Sequence, residues 1–203
     1  VQIVVDGQLL SPRISEFVAS NSSFDDGDGI SSDWIEIQNR NGVVFDLSGY
    51  HLTDDDTNLT KWTFPPNTIL SANEYRVVFA SARDTPDAAG KLHTNFNLSA
   101  SGEYLALVAP DGTSIVQEFA PGYPPQKTNV SYSAAGFLSL PTPGASNTGV
   151  AQQDFVRDTS FDIDRGHYTT PFSVTITTNT PEAQIYYTTD GTDPSPANGT
   201  LYA

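Results

Sequence analysis

Four carboxylates, Asp25, Asp26, Asp28 and Asp33, crowd into one stretch of the chain, FDDGDGISSDWIEIQN from Phe24 to Asn39, with Gly27 and Gly29 between them. Calcium takes about six to eight oxygen ligands, and a glycine-interrupted turn folds carboxylates and carbonyls inward to supply them. The stretch therefore carries two readings: a calcium loop built from these aspartates, and a solvated acidic turn. An EF-hand register fails. With Gly29 sixth, Asp26 and Asp28 fall third and fifth, but Phe24 falls first and Ile35 twelfth, where that loop needs oxygen ligands. A looser site in a sandwich loop survives the test. Asp54-Asp55-Asp56 is a second acidic run, read as a solvated loop because adjacent side chains of extended backbone point apart. Asp190-Gly191 and Asp193-Pro194 read first as turn formers.

Hydrolytic chemistry needs a nucleophile with an oriented base, or carboxylates paired across a cleft. His51, His93 and His167 are scattered, in neither nucleophile-elbow nor zinc-site spacing. His51 is expected to be an outward polar residue beside Tyr50, and Glu36 a charge on a strand surface. No catalytic residue is assigned. The chain has no cysteine, which excludes disulfides, thiolate metal sites and a cysteine nucleophile together. Trp34, Trp62, Tyr123, Tyr186 and Tyr187 offer flat faces for a carbohydrate ring, and core packing competes for each of them. Asn21, Asn58, Asn97, Asn129 and Asn198 head Asn-x-Ser/Thr sequons, a pattern that a chain rich in Asn, Ser and Thr reaches by composition.

Nine basic against 24 acidic residues leave a net charge of −15. That surface repels phosphate backbones and anionic membranes, so neither nucleic acid nor a membrane surface is an expected partner. No apolar run approaches the ~20 residues of a spanning helix. The first residue is Val1, and the expectation is a processed or excised piece whose export signal lay upstream.

The elements that must position these groups are strands. Ile35 and Ile37 alternate with Trp34, Glu36 and Gln38, which sets a strand after the acidic loop. RISEFVASN, with Ile14, Phe17 and Val18 as buried candidates, precedes it. Asn41-Gly42 marks a turn. In KWTFPP, Trp62 and Phe64 point inward and Lys61 and Thr63 outward, and Pro65-Pro66 ends the strand. Glu74–Ala82 is apolar on both faces, as for a central strand. Leu105 and Leu107 alternate with Ala106 and Val108 before a turn at Pro110-Asp111-Gly112-Thr113, and Ile115 begins the return strand. Pro121–Tyr132 reads as a long loop and Pro141–Asn147 as the exit from the domain. No stretch shows a capped helical stripe. Short strands at regular spacing predict an all-β sandwich. Beyond Phe155 the composition turns to Thr, Tyr and Pro, and Val174/Ile176 and Ile185/Tyr187 alternate as a second β unit.

In their order, ISEFVASNSS (14–23), DWIEIQN (33–39), DLSGYHLTDD (46–55), KWTFP (61–65), EYRVVFAS (74–81) and SGEYLALVAPDGT (101–113) resemble the lamin-tail domain, above all the versions in large exported bacterial proteins. IYYTTDGTDPSPANGTLY (185–202) is similar to the chitobiase/β-hexosaminidase C-terminal-type domain. The resemblance implies an immunoglobulin-like β-sandwich, followed by a partial immunoglobulin- or fibronectin-like one in which the chain is expected to stop. The expected boundaries are 1–10 for an N-terminal linker or strand, 11–147 for the first sandwich, 148–155 for a linker and 156–203 for the second. The resemblance further implies a non-catalytic module of an exported bacterial protein, extracellular or on the cell surface. Its expected work is spacing, adhesion or surface targeting, and its partners other domains of the same polypeptide, a surface polysaccharide or a protein. No cofactor is required, with calcium the candidate stabiliser. The alternative reading is an accessory region of an enzyme, such as a glycoside hydrolase, nuclease or spore-coat-H-kinase-like protein, whose active site lies outside these residues.

Overall fold

A computed structural model describes residues 9–87, 89–154, 159–180 and 183–202. The strand or linker expected over 1–10 lies almost wholly outside them. The chain divides into two compact units, Val1–Gln153 and Asp154–Ala203.

Among its described residues the first unit carries twelve strands: β1 (Arg13–Val18), β2 (Asp33–Gln38), β3 (Phe45–Asp46), β4 (His51–Thr53), β5 (Trp62–Thr63), β6 (Ile69–Leu70), β7 (Tyr75–Ala80), β8 (Leu92–His93), β9 (Leu105–Val108), β10 (Ile115–Phe119), β11 (Ser131–Ser133) and β12 (Gly136–Leu138). One sheet has six strands in the order β12-β11-β1-β2-β7-β8, and a second has four in the order β10-β9-β4-β5. β3 and β6 form a separate ribbon. Pairing is antiparallel except for β7 with β8.

Alternation decides which side chains meet between the sheets. Ile14 and Phe17 from β1, Ile35 and Ile37 from β2, and Val78 and Ala80 from β7 share one core with Leu52, Trp62, Leu105 and Leu107 of the other sheet. Phe17 sits at an aromatic knot, its ring centroid 5.1 Å from Phe119 and 4.7 Å from Tyr123. A buried side chain of this size contributes roughly 3 kcal/mol by removing apolar surface from water.

The outer face of the six-stranded sheet is covered as well. Val18, Trp34 and Phe79 form a second buried cluster under Phe24 and Val77. Beside it, residues 139–147 return across the sheet instead of leaving the domain. Thr142 donates to Glu16, Gly144 to Glu36, and the Asn147 side chain to the Ser15 carbonyl. The chain then bridges back to β12, where Phe137 and Gln152 exchange both backbone hydrogen bonds at 2.8 Å. Gly136 makes that approach feasible: its φ is +122°, and a Cβ there would meet the Gln152 carbonyl at 2.4 Å. The expected exit at 141–147 and linker from 148 are thus part of the first unit.

The second unit has β13 (Thr159–Phe161), β14 (Ile176–Thr178), β15 (Tyr186–Tyr187) and β16 (Thr200–Leu201). They pair as two antiparallel ribbons, β13-β14 and β15-β16.

Candidate functional site

Asp25 is engaged by its own loop, Asp26 and Asp28 by Arg83, and Asp33 by Asn21. Asp25 Oδ1 accepts the Gly27 and Gly29 amides at 2.5 and 3.3 Å, folding the loop on itself. Asp26 is fully buried. Its Oδ1 accepts the Asp28 amide at 3.1 Å, and its Oδ2 accepts the Ser32 hydroxyl at 2.7 Å and Arg83 Nη2 at 2.5 Å. The other arm of the same guanidinium donates to Asp28. Asp33 Oδ1 accepts the Asn21 amide at 3.1 Å.

The expectation that Asp25, Asp26, Asp28 and Asp33 converge is therefore corrected. Arg83, delivered from the end of β7, stands between two of them, and its positive charge opposes a cation in the same place. Among the described residues, no group of three or more His, Cys, Asp or Glu side chains is arranged to hold a metal ion.

The electrostatics follow from these partners. Burial acts to raise the Asp26 pKa, but the Ser32 hydroxyl, the Asp28 amide and Arg83 outweigh it and hold the group below its ordinary value. Asp33 is pushed up to about 6, chiefly by burial. His93 is buried next to this cluster, with Nδ1 2.8 Å from Ser81 Oγ and its ring stacked on Phe79 at 5.4 Å. Its Nε2 has no hydrogen-bond partner among the described residues and lies 4.0 Å from Asp87 Oδ2. Burial first, then Arg83, lowers the His93 pKa, so the imidazole is neutral near pH 7 and the Asp87 contact is not an ion pair.

The remaining acidic candidates are turn makers. Asp54 meets Lys61 at 2.6 Å. Asp55 Oδ1 accepts the Thr57 amide and hydroxyl at 2.9 and 2.6 Å. Asp190 Oδ1 does the same for Thr192, at 3.0 and 2.7 Å. The Asp193 carbonyl accepts from Asn198, whose amide is thereby engaged.

Three of the aromatic candidates are corrected. Trp34 is 1% exposed, Tyr123 3% and Trp62 6%, because Trp62 and Tyr123 lie in the core between the sheets and Trp34 is covered on the outer face by Phe24, and a ring without an exposed face cannot stack on a sugar. Tyr186 is half-buried and Tyr187 is 37% exposed, both on β15. A group not foreseen lies elsewhere in the second unit. Phe161, Tyr168, Phe172 and Val174 line a cleft of about 610 Å³ with Arg165 at its wall. Tyr168 and Phe172 pack with ring centroids 4.4 Å apart.

Two polar expectations are also corrected. His51 is buried, with Nδ1 2.8 Å from Thr63 Oγ1. Glu36 is fully buried opposite Glu16, under the returning segment rather than on a free strand surface. Sequence reasoning did not single out Glu16 or Arg83. The only signal for Glu16 is a charge inside the strand-like run RISEFV, and Arg83, in SARDT, carries none.

Two β-sheets packed face to face around one core define an immunoglobulin-like β-sandwich, the architecture of an accessory module. The Lamin Tail Domain family model matches residues 10–121, more than half of the chain, and the chain belongs to that family. The Chitobiase/beta-hexosaminidase C-terminal domain model matches residues 163–203, in the order expected. No curated protein matches the chain. No helix among the described residues is long and apolar enough to cross a membrane.

Proposed function

We propose that the chain is a non-catalytic spacer or adhesion module of a larger exported bacterial protein, acting outside the cell or on its surface. The observation that carries this reading is the fate of the chemical groups in the first unit: Asp26, Asp28, Glu36, His51 and His93 all serve to hold the fold. A surface polysaccharide or a protein is its partner, met through the exposed aromatics of the second unit, Tyr187 and the Phe161–Phe172 cleft. Calcium has no required part, because Arg83 already neutralises the buried end of the acidic loop.

Cell fractionation with an antibody raised against the 203-residue chain tests the location. The protein is expected in the surface or secreted fraction, and a cytoplasmic pool alone would end the exported reading. A glycan array tests the partner, with binding weakened at least about tenfold when Tyr168 and Phe172 are both replaced by Ala, a loss on the scale of desolvated aromatic contacts. The second reading, an accessory region of an enzyme, is favoured by the match to a domain type described from chitobiase and β-hexosaminidase. Catalytic carboxylates or a kinase-like region encoded in the same polypeptide would select it.

A further inference from the structure

Glu16 and Glu36 face each other across the β1–β2 pairing and are both 0% exposed. Among the described residues, no lysine, arginine or histidine lies within ion-pair distance of either one. Two buried carboxylates at adjacent positions and without a cation are costly to ionise together.

The hydrogen bonds distinguish the two groups. Glu16 receives three donors, Ser131 Oγ at 2.5 Å on Oε2, and the Thr142 amide and hydroxyl at 2.7 and 3.0 Å on Oε1. That set suits an ionised acceptor. Glu36 Oε2 accepts the Gly144 amide at 2.6 Å, the Ala145 amide also bonds this carboxyl, and its Oε1 lies 2.5 Å from Ser15 Oγ. Ser15 Oγ also lies 3.2 Å from the Glu36 carbonyl oxygen. A hydroxyl has a single hydrogen. With the acid proton on Glu36 Oε1, every group is satisfied: the carboxyl donates to Ser15, and Ser15 donates to the carbonyl. Ionising Glu36 removes the first donor of that relay and sets a second negative charge opposite Glu16.

The surroundings offer no other titrating partner. The segment 139–147, SLPTPGASN, has no ionisable side chain, and neither does β11 beyond Tyr132, which packs into the core on the other face. On β1, Arg13 bonds Gln38. On β7, Val77 stands opposite Glu36, and Arg76 is paired with Glu74 at 2.5 Å. Asp33, at the start of β2, is turned to Asn21.

We propose that a proton held on Glu36, opposite Glu16, is a latch that keeps the Pro141–Asn147 strap on the outer face of the sheet, and that loss of this proton releases the strap. Burial, with the Glu16 charge adding to it, pushes Glu36 up to about 7. A carboxyl whose pKa is raised in the closed form stabilises that form below its free value of 4.5, and the stabilisation is lost as pH rises through about 7. The latch is closed in mildly acidic surroundings and loosens above neutrality. Glu16 and Glu36 lie within the 10–121 match, and the strap and β11–β12 beyond it.

Hydrogen–deuterium exchange on the whole chain tests the latch, read at Thr142 and Gly144 and corrected for the intrinsic pH dependence of exchange. Protection is expected to fall at least about tenfold between pH 5.5 and 8.5, one pKa unit being a factor of ten, while β1 and β2 stay protected. Glu36→Gln, which keeps a donor toward Ser15 and removes the charge, is expected to stay protected at both pH values. Flat protection in the wild type, or an unchanged pH dependence in Glu36→Gln, overturns the proposal. If that variant does not fold, carboxyl carbon NMR on the wild type decides: a titration step of the pair near neutrality supports the latch, and complete ionisation of both groups below pH 5 refutes it.

Discussion

The two units present the same kind of strand pattern with opposite outcomes. In the first, β1, β2 and β9 are buried on both faces, one against the opposing sheet and the other under loops. In the second, Val174/Ile176 and Ile185/Tyr187 alternate as cleanly, yet none of the described residues after 153 is buried. Alternation states which side chains share a face; a second layer is what converts that face into a core. The contrast explains why the same residue type has different roles. An aromatic in the first unit is packing, and an aromatic in the second is available surface.

The largest effect should come from breaking that contrast by substitution. Trp34→Ala in the first unit removes a side chain packed against Phe24 and Phe79, and should cost about 3–5 kcal/mol. Tyr187→Ala in the second should change stability by less than about 0.5 kcal/mol, as exposed positions do. Urea denaturation followed by Trp fluorescence, which reports the first unit through Trp34 and Trp62, measures the former. An equal response to both substitutions would erase the distinction.

The next effect lies at the acidic loop. Arg83→Met leaves Asp26 buried without its cation, and a loss of about 2–4 kcal/mol is expected from an uncompensated buried charge. Adding Asp26→Asn should recover part of it, because the amide needs no counter-charge. A double-mutant cycle in urea reads the coupling, and additive losses would show that Arg83 acts through packing alone.

The pH response of the first unit follows. Glu36 at about 7 and Asp33 at about 6 have raised values, so their contribution is fully present below about pH 4 and is lost as pH rises through 6 to 8. Asp26 has a lowered value, so its contribution is present above 3.8 and lost as pH falls through its folded value. Thermal melts should therefore peak between about pH 4 and 6. A peak at pH 8 would contradict the burial of both carboxyls. The smallest effect concerns calcium: with Arg83 in place, melts in millimolar calcium and in chelator should agree within about 1 °C, since only ligand binding to the folded form raises the midpoint. In Arg83→Met, by contrast, a calcium-dependent rise would show that the aspartates can accept a cation once the guanidinium is gone.

Much of the architecture was legible from local pattern. Ile35 and Ile37 face the core, Trp62 and Phe64 point inward, and the turn at 110–113 joins β9 to β10, all because period-two alternation and turn chemistry act over a few residues. The site was less legible. Asp26 and Arg83 are 57 positions apart, and Glu16 and Thr142 are 126 apart. No spacing rule connects such residues.

The sequence by itself determined the longer strands of the first unit, such as β1, β2, β7 and β9, their inward faces, the turn at 110–113 and the order of the two modules, since each depends on neighbouring residues, whereas β11 and β12 were not foreseen. Only the tertiary structure decided which outward faces are covered. The returning strap turned Glu36 from a surface charge into half of a buried pair, and Arg83 turned a calcium-like loop into a closed ion-pair cluster. The physical reason is the same in both: burial depends on what the rest of the chain brings from a distance, and the state of a carboxylate depends on that burial and on the donors that come with it.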